Sequence, residues 1–175
     1  MILLGVSKAF TREENEGPEL PDLLPPASVL PPGAKNYMTR AGAEELHAEL
    51  TRLVQSERPR ASEVTHDPDA RRRLTKINQR IFQIEQSLLS AEIVLPDIGV
   101  NDTIRFGATV TVREENGDES TYRIVGVDEA DTSRNWVSWL SPIARALLNA
   151  KLGERVRFRF PSGEAQLEII GISYE

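Results

Sequence analysis

The chain has 175 residues, 39% hydrophobic and 27% charged, with no cysteine and a formal net charge of −6. That fits one ordinary domain or two small ones of soluble composition, and it excludes disulfide frameworks, thiol chemistry and cysteine-based zinc sites. No apolar run approaches the ~18 residues of a membrane span, and the opening residues 1–6 are too short for a signal peptide and lack its basic flank, so a cytoplasmic location is expected.

Residues 1–36 read as an acidic leader, with three basic and five acidic side chains. Glu13-Glu14-Asn15-Glu16-Gly17 precedes Pro18, Pro21, Pro25, Pro26, Pro31 and Pro32, which exclude regular helix. Such a segment buries too little apolar surface to offset its ordering entropy, so a mobile leader is expected. Leu20, Leu23, Leu24, Val29 and Leu30 remain available to dock on the body or on a partner.

Residues 37–96, with nine basic and nine acidic side chains, carry a helical hairpin pattern. Thr39 is a good N-cap. Ala43, Leu46, Leu50 and Leu53 then mark one face, and Pro59 sits where the pattern continues through Ala61 and Val64. Proline kinks a helix, yet helix is expected on both sides because the facing helix is long enough to need a partner. Asp67-Pro68-Asp69 breaks the chain, with Asp67 as N-cap and Pro68 in the first turn of the next helix. Ala70, Leu74, Ile77, Ile81, Ile84, Leu88 and Ala91 then step by 4, 3, 4, 3, 4, 3, the repeat of a coiled-coil seam. The second helix is expected to reach about Glu92, antiparallel to the first because the turn is short.

The tip near residues 65–69 holds the candidate functional side chains. Asp67 and Asp69 read either as charges complementing the helix macrodipole or as a tip function through metal or channel contact. His66 is a further ligand candidate or an exposed turn histidine. Behind them lies a basic band of Arg71, Arg72, Arg73, Lys76 and Arg80, with Arg72, Lys76 and Arg80 on one face. It reads as a phosphate-contacting surface or as a solvated face with ion pairs to Glu57 and Glu63.

Residues 97–175, with nine basic and thirteen acidic side chains, change period. Strands are expected over 108–112 and 121–125, joined by Glu114-Glu115-Asn116-Gly117-Asp118, with Asn-Gly as the turn signal. Residues 136–139 make a short third strand. Ser141 and Pro142 open a helix over 143–150 that Gly153 ends. Strands over 155–160 and 165–172 complete an antiparallel sheet with one helix, an α+β domain. Tyr122, Phe158 and Phe160 read as core. Trp136 and Trp139 read as core or as an aromatic patch for a partner. No segment is strongly basic, so sequence-independent duplex DNA binding is not expected as the main activity and a protein partner fits better; no sequence-specific DNA binding is expected either.

The order of these parts resembles the GreA/GreB family of transcription elongation factors. The likeness rests on Phe106-Gly107-Ala108-Thr109-Val110, Tyr122-Arg123-Ile124-Val125-Gly126 and Ser141-Pro142-Ile143-Ala144-Arg145-Ala146-Leu147-Leu148. The GreB branch is closer, through Ser7-Lys8-Ala9-Phe10-Thr11, Pro32-Gly33-Ala34-Lys35-Asn36-Tyr37, Glu57-Arg58-Pro59, Arg73-Leu74 and Ile93-Val94. The resemblance implies a coiled-coil hairpin over 37–96 and an FKBP-like sheet domain over 97–175. It also implies an accessory factor, not an enzyme, that docks outside the secondary channel of bacterial RNA polymerase. The docking residues would be Trp139, Leu140, Ser141 and Pro142, in a monomer with no membrane partner. The coiled coil would enter the channel, with the basic band facing the 3′ end of nascent RNA.

In that family paired acidic residues at the tip help hold a magnesium ion of the polymerase, where carboxylates position a hard cation that activates water. Asp67 and Asp69 are positional stand-ins for shared magnesium ligands, and no metal or cofactor of the chain's own is implied. Two departures shape the expectation. The family's Gly-Asp-x-Ser-Glu-Asn-like tip motif is absent, and the stretch between Pro59 and Ile93 is about a dozen residues short, which removes roughly 9 Å of reach at 1.5 Å per helical residue. A magnesium ligand must lie within about 2.1 Å of the metal, so cleavage stimulation is expected to be lost or altered. Leu140 also stands where GreB-type proteins tend to carry aspartate. Two other readings stay open: a short-finger relative regulating nucleoside diphosphate kinase, and an FKBP-like prolyl isomerase, although fold alone confers no activity.

Overall fold

The computed structural model describes residues 30–63, 68–96, 102–160 and 163–174. The leader up to residue 29, and His66 and Asp67 at the tip, lie outside the described residues. Leu30 is half-buried.

A short strand, β1 (Asn36–Met38), leads into α1 (Arg40–Arg52). Thr39 caps α1 as expected, its hydroxyl accepting the Gly42 N–H at 3.0 Å. A π-helical turn over Leu53–Glu57 follows and passes into α2 (Arg58–Glu63). Helix therefore flanks Pro59 on both sides, and the distortion is the wide turn just before it. Pro59 has no N–H to donate to Gln55, and Arg58 donates five residues back to the Leu53 carbonyl.

The return helix is α3 (Pro68–Ser90), with Ala70, Ile81 and Ile84 buried. Leu74, Ile77, Leu88 and Ala91 are half-buried, so the whole apolar series faces inward. One core forms from Met38, Leu46, Leu53, Ile81 and Ile84, flanked by Ala43, Leu50, Ile77, Leu88 and Ala91. The helix stops at Ser90, two residues before the expected end. Residues Ala91–Ile93 form β2 (Ala91–Ile93), which pairs in parallel with β1. The Asn36 side chain holds this junction by donating to the Ser87 carbonyl and the Ser90 hydroxyl, both at 3.1 Å.

The second core belongs to a five-stranded sheet built from β3 (Ala108–Glu114), β4 (Glu119–Val125), β5 (Trp136–Ser138), β6 (Arg155–Phe160) and β7 (Gly163–Tyr174). The strand order is β5-β4-β3-β7-β6. β3 pairs with β4 and β7, and β6 with β7, in antiparallel fashion as expected. The edge strand β5 adds in parallel to β4, which makes the sheet mixed. The long connection over 126–135 lets the chain return in the same direction. At the β3–β4 turn Gly117 adopts φ 93° and the Asn116 side chain accepts the Asp118 N–H at 2.9 Å.

The single α-helix among the described residues of this half, α4 (Pro142–Leu147), is capped by Ser141, whose Oγ accepts the Ala144 N–H at 3.2 Å. It ends at Leu147, short of the expected residue 150, because Asn149 takes a left-handed conformation at φ 68°. Gly153 is not the stop signal; it lies in the turn before β6. Ile143, Ala144 and Leu147 pack into a core with Val110, Ile124, Phe158 and Ile169. Tyr122 and Phe158 are buried, and Phe160 packs half-buried against the same core. Burial raises the Tyr122 pKa.

Candidate functional site

Three places carry the functional candidates: the finger, the surface around α4, and the joint between them. On the finger, Asp69 lies exposed in the first turn of α3 and approaches Arg72 at 3.6 Å. Arg71, Arg72, Arg73 and Lys76 are exposed, as a basic surface requires. Arg80 is exposed as well but is held in an ion pair. Its Nε and Nη2 each donate at 2.8 Å to the two carboxylate oxygens of Glu49 on α1. This fork lowers the Glu49 pKa and raises that of Arg80, with the hydrogen bond as the largest cause in each case. The expected partner Glu57 instead pairs with Arg52. Among the described residues no three His, Asp or Glu side chains converge as a metal-binding set.

The two tryptophans face different surroundings. Trp136 on β5 lies between Arg134, 4.2 Å from its ring centre, and Arg123, 5.0 Å away. Trp139 turns inward, meets Tyr37 edge-on at 5.2 Å and packs against the sheet core. It is a packing residue whose buried Nε1 has no hydrogen-bond acceptor among the described residues. Leu140 and Ser141 are half-buried and Pro142 is exposed, so the accessible part of the expected docking segment is the Leu140–Pro142 corner.

Glu129 joins the two halves, and nothing in the sequence analysis singled it out. It ends a short 3₁₀ turn after β4 and is buried. Its Oε2 accepts the N–H of Thr39 and the N–H of Gly126, both at 2.9 Å, and its Oε1 accepts the Thr39 hydroxyl. Around it, Ser87 Oγ donates to Asp128 at 2.6 Å and Arg134 approaches Glu45 at 3.7 Å. Asp131, on the same connection, accepts from Ser133 and Arg134, and those hydrogen bonds lower its pKa to about 2. The one available signal is Gly42, a glycine in the first turn of α1.

A family model described as "Transcription elongation factor, GreA/GreB, C-term" matches residues 99–174. The GreB transcription elongation factor of Neisseria meningitidis serogroup B is 36% identical over 154 residues, covering 80% of this chain and 94% of that protein. The chain belongs to the GreA/GreB family. A GreA from Alkalilimnicola ehrlichii is 39% identical over 156 residues, covering 81% of this chain and 99% of the relative. Among solved structures, the GreA factor homolog Gfh1 of Thermus thermophilus aligns at 22% identity and TM-score 0.39, over 80% of this chain and 99% of that one. A GreA/GreB factor from Nitrosomonas europaea aligns at 23% identity and TM-score 0.40. On the GreB and GreA relatives, this GreA/GreB protein is a transcription elongation factor, an accessory protein and not an enzyme. None of its described helices is long and apolar enough to cross a membrane.

Proposed function

We propose that this factor binds bacterial RNA polymerase in the cytoplasm through its sheet domain, at the secondary channel, and modulates elongation by placing the helical hairpin in that channel. Family membership carries the partner. The observation that carries the mode is the hairpin itself. α3 has 23 residues, about 35 Å of helix at 1.5 Å per residue, and Arg71, Arg72, Arg73 and Lys76 project from it into solvent. These residues face RNA phosphates, while the Leu140–Pro142 corner contacts the polymerase. With the family's tip motif absent, the finger occupies the channel without stimulating strong transcript cleavage.

The experiment is a purified assay on backtracked elongation complexes. The expected result is competition with a channel-binding cleavage factor and little cleavage from the chain alone. Robust cleavage that disappears in Asp67→Ala/Asp69→Ala would overturn the altered-tip reading. Failure to bind or compete at all would overturn the polymerase reading.

A further inference from the structure

We propose that Glu129 is the positioning residue that sets the angle of the finger relative to the sheet domain. This inference rests on the channel-binding reading for its consequence, though not for its geometry. The carboxylate belongs to the sheet domain's connection, and two of its three hydrogen bonds go to Thr39, the cap of the first finger helix. Thr39 relays the contact, because its hydroxyl donates to Glu129 while accepting the Gly42 N–H at 3.0 Å. A buried carboxylate at this end also complements the positive end of the α1 macrodipole. This side chain therefore ties the cap of the finger to the turn of the sheet domain, alongside the Ser87–Asp128 hydrogen bond and the Tyr37–Trp139 ring contact.

Two glycines leave the carboxylate its seat. A Cβ on Gly42 would lie 2.2 Å from Glu129 Oε1, and one on Gly126 would lie 2.4 Å from the Tyr37 carbonyl and 2.6 Å from Glu129 Oε2. Two glycines bring the backbones of α1, β1 and the 126–129 turn against the carboxylate. The outlying Arg134–Glu45 contact is exposed on both sides at 50% and 58%, where ion pairs contribute little to orientation.

The finger amplifies any slack at this point. From Thr39 to Glu63 the helical path is roughly 36 Å at 1.5 Å per residue, so a 10° rotation at the joint displaces the finger end by about 6 Å. That displacement would decide what the tip reaches inside a channel. Glutamine keeps the seat, since its carbonyl accepts both N–H groups, while its amide reverses the third bond and donates to the Thr39 hydroxyl. Alanine removes the shared acceptor.

The chain has no cysteine, so Glu63→Cys and Gln166→Cys, both at exposed positions, give a clean pair of spin labels. Pulsed dipolar spectroscopy on the full chain should show one narrow distance in the parent. Glu129→Ala should broaden or shift it by about 5 Å or more, and Glu129→Gln should restore it. Should Glu129→Ala fail to fold, Thr39→Val, which removes the relay hydroxyl, should widen the distribution. A broad parent distribution, or an unchanged narrow one in the variant that folds, would overturn the proposal. In the elongation assay, Glu129→Ala should keep polymerase binding and lose the effect of the finger at least fivefold. If the parent does not bind polymerase, the functional reading fails while the spin-label result still judges the joint.

Discussion

Replacing Gly42 with alanine sets two physical effects against each other. Helix propensity alone favours alanine by about 1 kcal/mol in a helix interior. The geometry opposes it, because the new Cβ would sit 2.2 Å from Oε1, 2.3 Å from Cδ and 2.5 Å from Cγ of Glu129. Real contacts never reach such distances, so the carboxylate must leave its seat. It would leave the Thr39 and Gly126 N–H groups and the Thr39 hydroxyl without their acceptor. Hydrogen bonds to a charged group contribute about 1.5–3 kcal/mol each. Losing two of the three outweighs the propensity gain and leaves a net destabilisation of about 3 kcal/mol. For a chain of this length that corresponds to a fall of about 6–12 °C in Tm. The assay is urea and thermal unfolding of Gly42→Ala beside the parent, completed as a double-mutant cycle with Glu129→Ala. In the Glu129→Ala background the same substitution should become neutral or stabilising, with a coupling of about 2 kcal/mol or more. A Gly42→Ala protein as stable as the parent, or additive effects in the cycle, would refute the reasoning.

Asp131 is held at a pKa of about 2, first by its Ser133 hydrogen bond and then by Arg134. Its stabilising contribution is present above the ordinary carboxylate value and is lost as pH falls from about 4 through 2, so a carboxyl-carbon titration by NMR should show a midpoint near 2 that rises in Arg134→Ala. Ile84, 1% exposed at the centre of the hairpin core, should cost about 2–5 kcal/mol as Ile84→Ala in urea unfolding. Glu49→Gln should cost no more than about 1 kcal/mol and lose that effect in high salt, because the pair with Arg80 is partly solvent-screened. Pro59→Ala should leave the wide turn over 53–57 in place and change stability by less than about 1 kcal/mol, where full repair of a proline defect would give about 3; amide exchange across the turn reads the difference.

Much of this architecture is written in local patterns. The α3 seam, the Thr39 and Ser141 caps and the Asn116-Gly117 turn each depend on residues within a few positions of one another, and each forms. What the sequence hid depends on distant partners. Ala91 and Glu92 continue a helical pattern, yet they pair with Asn36 and Tyr37 more than fifty positions away in the chain. Glu129 reads as one more acidic loop residue until Thr39, ninety positions earlier, is brought against it. Asn149 ends α4 through backbone conformation that glycine-based rules assign to Gly153. Trp139 is drawn inward by Tyr37, which belongs to the other half of the molecule. The sheet-domain strands were legible as β-branched runs, whereas the parallel addition of β5 follows from the path of a connection that has no periodic signal.

The wide turn before Pro59 shows how register and proline combine. Leu53 is buried and the next apolar inward residue on that arm is Ala61, half-buried like the polar Ser56 and Glu57 between them, with Arg60 exposed. Leu53 and Ala61 are eight apart, while a regular helix returns to the same face after seven. An unbroken α-helix would turn Arg60 toward α3 and leave Ala61 beside it. One extra residue in the turn rotates the following segment by about 100°, which places Ala61 inward and Arg60 in solvent. Proline makes the turn less costly, because its nitrogen has no hydrogen to leave unpaired. The apolar register would demand the turn even with alanine at position 59. That is why Pro59→Ala discriminates between the two causes. It also means that the direction of the finger is set twice, by the joint at Glu129 where the hairpin leaves the sheet domain, and by the eight-residue spacing partway along its outgoing arm.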